Sequence, residues 1–461
     1  MSFLDNIDKY KNKVCVIEDD KSFSYSDIIF SAKKLTTIIP KRSLVFLLGG
    51  NNYETLTSYI GLIRSKSVVA VLDKDIDKKN LENLIKKYLP NFIILPKLLK
   101  KIHNYKNIKD FNRYSILKNM NNKKILINKN LAILLSTSGS TGSPKFVRLS
   151  YKNYTENSKQ IIKSLNLKNH STITSLPIHY TFGLSIINTH LISGGKIILN
   201  NSSILEKNFW EIYKKNKPNI FYGVPYIYEM LTKLKYKDFF HNELIYFTNA
   251  GGKLKENILK EIIRQTKHHK SMFSLMYGQT EASPRMSNLN YKYNSKKLNS
   301  IGKALNGGRF ELLDERNNII KEPFTEGELI YYGNNVSLGY SKNQQDLKMG
   351  DFNKGKLFTG DLAIFDKDNF FYITGRKKRI IKIFGIRICL DEIENMIIEN
   401  FKIHANCDVN DEKLIINHNS KKINQKKIIK ILSSKLKINQ NFIYFKFDET
   451  KEVQKIKNKS L

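Results

Sequence analysis

Short apolar runs bounded by Gly, Ser, Asp or Pro set the rhythm of the first part of the chain. Leu44 to Leu48, Val68 to Leu72, Phe92 to Leu95 and Leu131 to Leu135 each read as a buried strand. Between them, Leu81, Leu84, Ile85, Tyr88 and Leu89 recur at the spacing of one helical face, which Pro90 stops. Buried strands alternating with amphipathic helices predict βαβ units, and hence a largely parallel sheet covered by helices. The Asn- and Lys-rich stretch from Lys106 to Asn130 breaks the pattern and reads as a surface connection. Beyond it, Asn153 to Leu165 predicts a helix. Strands are predicted at Ile173 to Leu176, Lys196 to Leu199, Ile220 to Val224, Leu244 to Asn249 and Ser274 to Gly278. From Gly327 the text becomes β-rich with many turns. After about Arg379 it is α+β-like, with a helix starting near Asp391, strands near Leu414 to Ile416 and Phe442 to Phe447, and a helix around Gln425 to Lys435. The fold class is α/β: a large N-terminal domain of several subdomains with parallel-type sheets, then a β-rich part, then a small α+β C-terminal domain.

Composition changes this picture little. At 461 residues and 41% apolar content the chain exceeds one core and calls for at least two domains. The formal net charge of +36 by itself points to nucleic acid or an anionic membrane. The lysines, however, run from Lys9 to Lys459 in company with Asn and Ile, a chain-wide bias rather than one basic face, so no specific nucleic-acid partner is expected. Cys15, Cys389 and Cys407 form neither a CxxC motif nor a disulfide framework, and reduced thiols are the default. The N-terminus lacks the apolar core of a signal peptide, and no run approaches the roughly 20 apolar residues of a spanning helix. A cytoplasmic protein is expected.

The candidate chemistry sits at strand ends. Behind Leu131 to Leu135 lies TSGSTGSPK, a loop of hydroxyls and glycines closed by Pro144 and Lys145. Small residues let backbone N–H groups approach oxyanions, Thr137, Ser138, Ser140 and Thr141 offer hydroxyls, and Lys145 adds a cation, which together suit phosphate. It is not a Walker A loop, which requires Gly directly before Lys-Ser/Thr. A second strand ends in YGQTE, Tyr277 to Glu281: an aromatic that can stack on a base, a hydroxyl, and a carboxylate suited to Mg²⁺. Asp361, in TGD, is placed to accept from ribose hydroxyls. Finally, Arg376, Lys378, Lys382 and Arg387 alternate with apolar residues and Gly385, which suits a hinge that swings cations over an anion.

These segments, in this order, resemble the adenylate-forming superfamily of acyl-CoA and aryl-CoA synthetases, peptide-synthetase adenylation domains and luciferases. The specific stretches are TSGSTGSPK, YGQTE, TGD and GRKKRIIKIFGIRICLDEIE, Gly375 to Glu394. The resemblance implies that Thr137, Ser138, Gly139, Ser140, Thr141, Gly142 and Lys145 wrap the β and γ phosphates of ATP. Gly251 and Tyr277 flank the adenine, Thr280 touches the α-phosphate and Glu281 holds Mg²⁺, while Asp361 and Arg376 hold the ribose. It also implies a domain boundary at a hinge near Lys378, dividing 1–377 from a mobile 378–461. Lys382, Gly385 and Arg387 then match the loop that meets the adenylate and the thiol channel. Lys455 matches the catalytic lysine of the C-terminal motif, with Gln454 in place of the usual Gly and Lys457 the next candidate.

The implied reaction joins a carboxylic acid to AMP with loss of pyrophosphate and passes the acyl group to a thiol of CoA or of the phosphopantetheine arm of a carrier protein. Amino-acid-activating relatives usually carry an Asp in the segment resembling Ile178 to Ile187, and this chain has none. A non-amino acid, acyl or aryl, is therefore expected against His179, Tyr180, Phe182, Tyr222, Gly223 and Ala282. Two other readings stay open: a degenerate member that binds acyl-adenylate without full turnover, on the strength of Gln454, and a polyanion-binding protein, on the strength of the charge.

Overall fold

The computed structural model describes residues 4–99, 102–121, 125–136, 145–383, 386–410, 413–420, 423–436 and 438–447. The chain divides into two compact units, Met1–Phe310 with Tyr331–Leu357, and Glu311–Ile330 with Phe358–Leu461.

In the first unit the apolar runs become the centres of two sheets. One has eight strands in the order Tyr340–Ser341, Phe146–Ser150, Leu131–Ser136, Val68–Asp73, Leu44–Gly49, Phe92–Pro96, Tyr114–Asn119, Tyr105–Phe111. Its middle is parallel: Val45 pairs with Val69 and with Phe92, and Val69 with Ile133. Such strands are covered on both faces, which is why Leu44–Gly49 and Val68–Leu72 are buried throughout rather than alternating. The other sheet has nine strands, and its segment Ile220–Gly223, Tyr246–Asn249, Met272–Gly278 is parallel before Arg285–Leu289 returns antiparallel. The strand ends at Gly223 and Asn249 therefore lie side by side, while the next strand runs on past Leu275, the partner of Asn249, to Gly278.

The expected surface connection from Lys106 to Asn130 is instead partly a hairpin, Tyr105–Phe111 against Tyr114–Asn119. Its outer strand is mostly exposed, which is why Asn and Lys fill it, whereas Tyr114, Ser115, Ile116 and Leu117 are buried against Phe92–Pro96. An edge strand with one wet face carries half the apolar signal of a central one.

Local chemistry fixes where helices start. Ser150 ends one strand and caps the helix Tyr151–Leu165, accepting from the Asn153 N–H while the Asn153 side chain accepts from the Ser150 N–H. The Asn153 amide also donates to the carbonyls of Asn334 and Val336, tying this helix start to the segment before Tyr340. Arg148 holds the same region. Almost fully buried, it donates to the carbonyls of Leu338, Tyr340, Met349 and Gly350 at 2.6 to 3.1 Å. Arg148→Met leaves four carbonyls without their donor, and a urea melt is expected to show a loss of about 3–5 kcal/mol.

In the second unit, Asp361–Phe365, the end of the strand Lys356–Phe365, pairs antiparallel with Phe371–Arg376, with Asp361 in register with Arg376. The C-terminal part is α+β, as its pattern predicts: the three-stranded sheet Ala405–Asn410, Lys413–His418, Ile443–Phe447 with helices Leu390–Phe401 and Gln425–Leu436. Ile393, Ile397, Leu414, Ile416, Ile428 and Leu432 form its core. Among the described residues no helix is long and apolar enough to cross a membrane.

Candidate active site

The site grows out of the strand Met272–Gly278. Its last residue has no room for a side chain, because a Cβ on Gly278 would stand 1.7 Å from the Pro284 carbonyl oxygen. That contact lets the chain fold back at once, so Gln279 to Ser283 form a tight loop. The segment before Tyr340 then pins it: Ser337 N–H donates to the Glu281 carbonyl at 2.8 Å, the Asn335 amide to the Ala282 carbonyl at 2.7 Å, and Ser283 Oγ to the Asn335 carbonyl at 2.8 Å. Glu281 and Thr280 are thus held on a fixed backbone, as pre-organised chemistry requires.

Around that loop the first unit brings several predicted residues together. Thr280 Oγ1 lies 2.9 Å from Thr181 Oγ1, at the first turn of the helix Thr181–Ser193. The Tyr340 hydroxyl donates to Glu281 Oε1 at 2.6 Å, and Lys145 Nζ sits 3.8 Å from the centre of the Tyr340 ring. Burial and the adjacent Glu281 carboxylate both push the Tyr340 phenol above its ordinary range, so it stays protonated and donates. Tyr340 therefore bridges the lysine assigned to phosphate and the carboxylate assigned to Mg²⁺. Losing one hydrogen bond to a charged group is worth about 1.5–3 kcal/mol. In titrations of Mg²⁺ at fixed ATP, Tyr340→Phe is accordingly expected to need roughly tenfold more metal for half-maximal rate.

Of the two residues that the resemblance assigns to the adenine, Gly251 adopts φ +84°, and a Cβ there would lie 3.3 Å from the Tyr180 hydroxyl. Tyr277 is half-buried at its strand end, with its ring centre 6.3 Å from that of Phe310. His179 keeps a buried Nδ1 with no hydrogen-bond partner, while its Nε2 stands 3.8 Å from Asp73. Burial lowers its pKa against the opposing pull of Asp73 and Asp75. The orphaned Nδ1 makes His179 a polar group in search of a partner within the acid pocket assigned from sequence.

Phe182 and Tyr222 meet edge to face with centroids 6.1 Å apart. The orientation of the Tyr222 phenol follows from its neighbours. His190 Nδ1 faces the His170 carbonyl at 3.0 Å, which can only accept, and burial pushes the ring down to about 3, so it is neutral with its proton on Nδ1. Nε2 must then accept, and Tyr222 donates to it at 3.1 Å. Gly223, next in the strand, could not carry a Cβ without meeting the Tyr228 ring at 2.6 Å, and Ala282 is fully buried.

Asp361 and Arg376 belong to the second unit, where Arg376 Nε donates to the buried Asp361 Oδ1 at 2.9 Å. Lys378 lies in the turn Lys377–Arg379, and Lys382 and Arg387 are register partners in the hairpin Ile380–Ile383 with Ile386–Cys389. The phosphate-loop residues Thr137, Ser138, Gly139, Ser140, Thr141 and Gly142 lie outside the described residues, as do Gly385, Gln454, Lys455 and Lys457.

Sequence reasoning missed three residues of this neighbourhood: Tyr340, Thr181 and Arg285. Tyr340 meets Glu281 across 59 positions and Thr181 meets Thr280 across 99, so no local pattern joins them. Arg285 had a signal, a charge one residue before Met286 in a strand otherwise free of charge.

The sequence and the fold are similar to those of known proteins. The chain is 28% identical over 271 residues to a 2-succinylbenzoate–CoA ligase of Bacillus licheniformis, covering 58% of this chain and 54% of that protein. It is 29% identical over 278 residues to a long-chain-fatty-acid–CoA ligase of Bacillus subtilis, covering 59% and 48%. The chain thus spans about half the length of these curated relatives. An O-succinylbenzoate coenzyme A synthetase from Bacillus subtilis, solved with ATP and a magnesium ion, superposes with a TM-score of 0.76 at 17% identity over 97% of this chain and 96% of that one. That likeness shows a shared fold, a large N-terminal and a smaller C-terminal domain. Residues 3–341 match the model of the AMP-binding enzymes, and the chain belongs to that family.

Proposed function

We propose that the protein activates a carboxylic acid with ATP, forming an acyl-adenylate and pyrophosphate, and then transfers the acyl group to a thiol of CoA or of a phosphopantetheine carrier. The observation that carries this reading is the arrangement of Lys145, Tyr340, Glu281 and Thr280 on one pinned loop system of the first unit.

A carboxylate attacks an already anionic phosphate only where the charge of the phosphorane and the departing pyrophosphate is met. Lys145 and Lys455 supply cations for that task. Thr280 supplies a hydroxyl donor at the α-phosphate, and Glu281 fits a Mg²⁺ site. Among the described residues no three His, Cys, Asp or Glu converge on a metal position. A single carboxylate is what Mg²⁺ takes when phosphate oxygens and waters complete its shell. When bound, the ion neutralises phosphate charge. Asp361 and Arg376 hold the ribose, and Gly251 and Tyr277 flank the base. The segment 378–461 turns about Lys378 to exchange Lys455 for Lys382, Gly385 and Arg387.

The acid is acyl or aryl rather than an α-amino acid. The helix Thr181–Ser193 carries no carboxylate to pair with an ammonium, and the buried Arg285 cation beside Phe182 and Tyr222 repels one. We place the protein in the cytoplasm, with an acidic carrier protein as an alternative acceptor suited to the basic surface. The test is ATP–pyrophosphate exchange across fatty, aromatic and hydroxy acids, each class including mono- and dicarboxylic members, and α-amino acids. Exchange with members of the first three classes is expected; exchange with α-amino acids alone, or with none, overturns the reading.

A further inference from the structure

Two arginines of the first unit are almost completely buried, and they are satisfied very differently. Arg148 has four carbonyl acceptors within 3.1 Å. Arg285 has Ser185 Oγ at 3.2 Å, Thr189 Oγ1 at 3.5 Å and Met276 Sδ at 3.7 Å, together with the Tyr222 hydroxyl. Its guanidinium carbon stands 5.3 Å from the centre of the Phe182 ring and 5.2 Å from that of Tyr222. Among the described residues no carboxylate pairs with it. Long contacts to neutral groups and two aromatic faces offset only part of the several kcal/mol that burying a lone cation costs. Burial pushes the guanidinium down to about 10, still well above neutral pH, so the charge remains.

Its position is as informative as its lack of a counter-ion. Phe182 and Tyr222, which flank the guanidinium, are two of the residues assigned to the acid pocket. Thr181, at the start of the helix Thr181–Ser193, touches Thr280 at the reacting end. Ser185 and Thr189 lie one and two turns further along that helix, so the cation sits roughly 6–12 Å below the reacting end. That is the length of a short-chain or single-ring acid. At this depth the low dielectric lets the charge act beyond direct contact.

From this geometry we infer that Arg285 determines specificity at the far end of the acid pocket, selecting a compact dicarboxylic acid whose second carboxylate supplies the missing counter-charge. The inference rests on the proposed acid activation and names its substrate class. The carboxylate near Thr280 is adenylated; the other stays ionised and is read by Arg285. The Tyr222 phenol, committed as a donor to His190, can accept from the guanidinium, but as a neutral acceptor it supplies no counter-charge.

The test compares kcat/KM in ATP–pyrophosphate exchange for isosteric pairs, glutarate and isophthalate against the same acids with the second carboxylate replaced by an isopropyl group, in wild type, Arg285→Met and Arg285→Lys. A ratio of rates for two acids does not depend on how much of a variant is folded. Wild type is expected to prefer the dicarboxylate by tenfold or more, Arg285→Met to lose or invert that preference, and Arg285→Lys to keep part of it. A wild-type ratio at or below one overturns the inference whatever the variants do, and leaves acid activation standing. A wild-type preference that survives unchanged in Arg285→Met overturns it as well. Exchange with no acid of any class overturns the proposed function itself, and with it this inference.

Discussion

Lys455→Ala is expected to remove adenylate formation, by about a thousandfold or more in ATP–pyrophosphate exchange, while thioester formation from a supplied acyl-adenylate persists. The split follows from where charge develops. In the first half-reaction a carboxylate approaches an anionic phosphorus and pyrophosphate departs, so a cation on the bridging oxygens is worth most at that moment. In the second, a thiol attacks a neutral acyl carbon and AMP leaves, and on the proposed turn about Lys378 Lys455 would no longer be needed at the site. Measuring both half-reactions on one preparation makes the unaffected one a control for folding. Equal loss of both, or unchanged adenylation, removes Lys455 from this role and passes it to Lys457. A wild type that binds adenylate yet performs no first half-reaction supports the degenerate reading motivated by Gln454.

Glu281→Gln is the second large effect: exchange is expected to fall roughly a hundredfold to a thousandfold. The substitution keeps the size of the side chain and an oxygen for the Tyr340 hydroxyl, which now donates to Glu281 at 2.6 Å. It removes only the negative charge, so a loss reports on metal rather than on loop geometry. Lys145→Ala acts on the other side of the Tyr340 ring and weakens ATP use without abolishing thioester formation from supplied adenylate. A Glu281→Gln enzyme with wild-type Mg²⁺ dependence contradicts the metal assignment.

What the chain displayed in advance depended on whether each signal was local. Buried parallel strands such as Leu44–Gly49 and Leu131–Ser136 announce themselves as unbroken apolar runs, and the small domain showed its α+β pattern. The hairpin Tyr105–Phe111 and Tyr114–Asn119 was obscured because a solvated edge fills with Asn and Lys. The helix Thr181–Ser193 gives no helical signal in the sequence. Buried from Thr181 to Leu191, it has no polar face to reveal its period. At the site, Tyr277, Thr280 and Glu281 stood out because one strand end delivers all three. Tyr340, Thr181 and Arg285 did not, since each acquires its meaning only when distant strands and helices bring it to that loop.

On the proposed function, ATP is cleaved between its α and β phosphates to activate an acid. Incubating the full chain with Mg²⁺, ATP, CoA and an acid identified by the exchange screen, and following nucleotide and phosphate species by phosphorus NMR, tests it most directly. AMP and pyrophosphate appearing one for one with acyl thioester is the predicted result. ADP and orthophosphate in their place, or acid consumed with ATP intact, would contradict it.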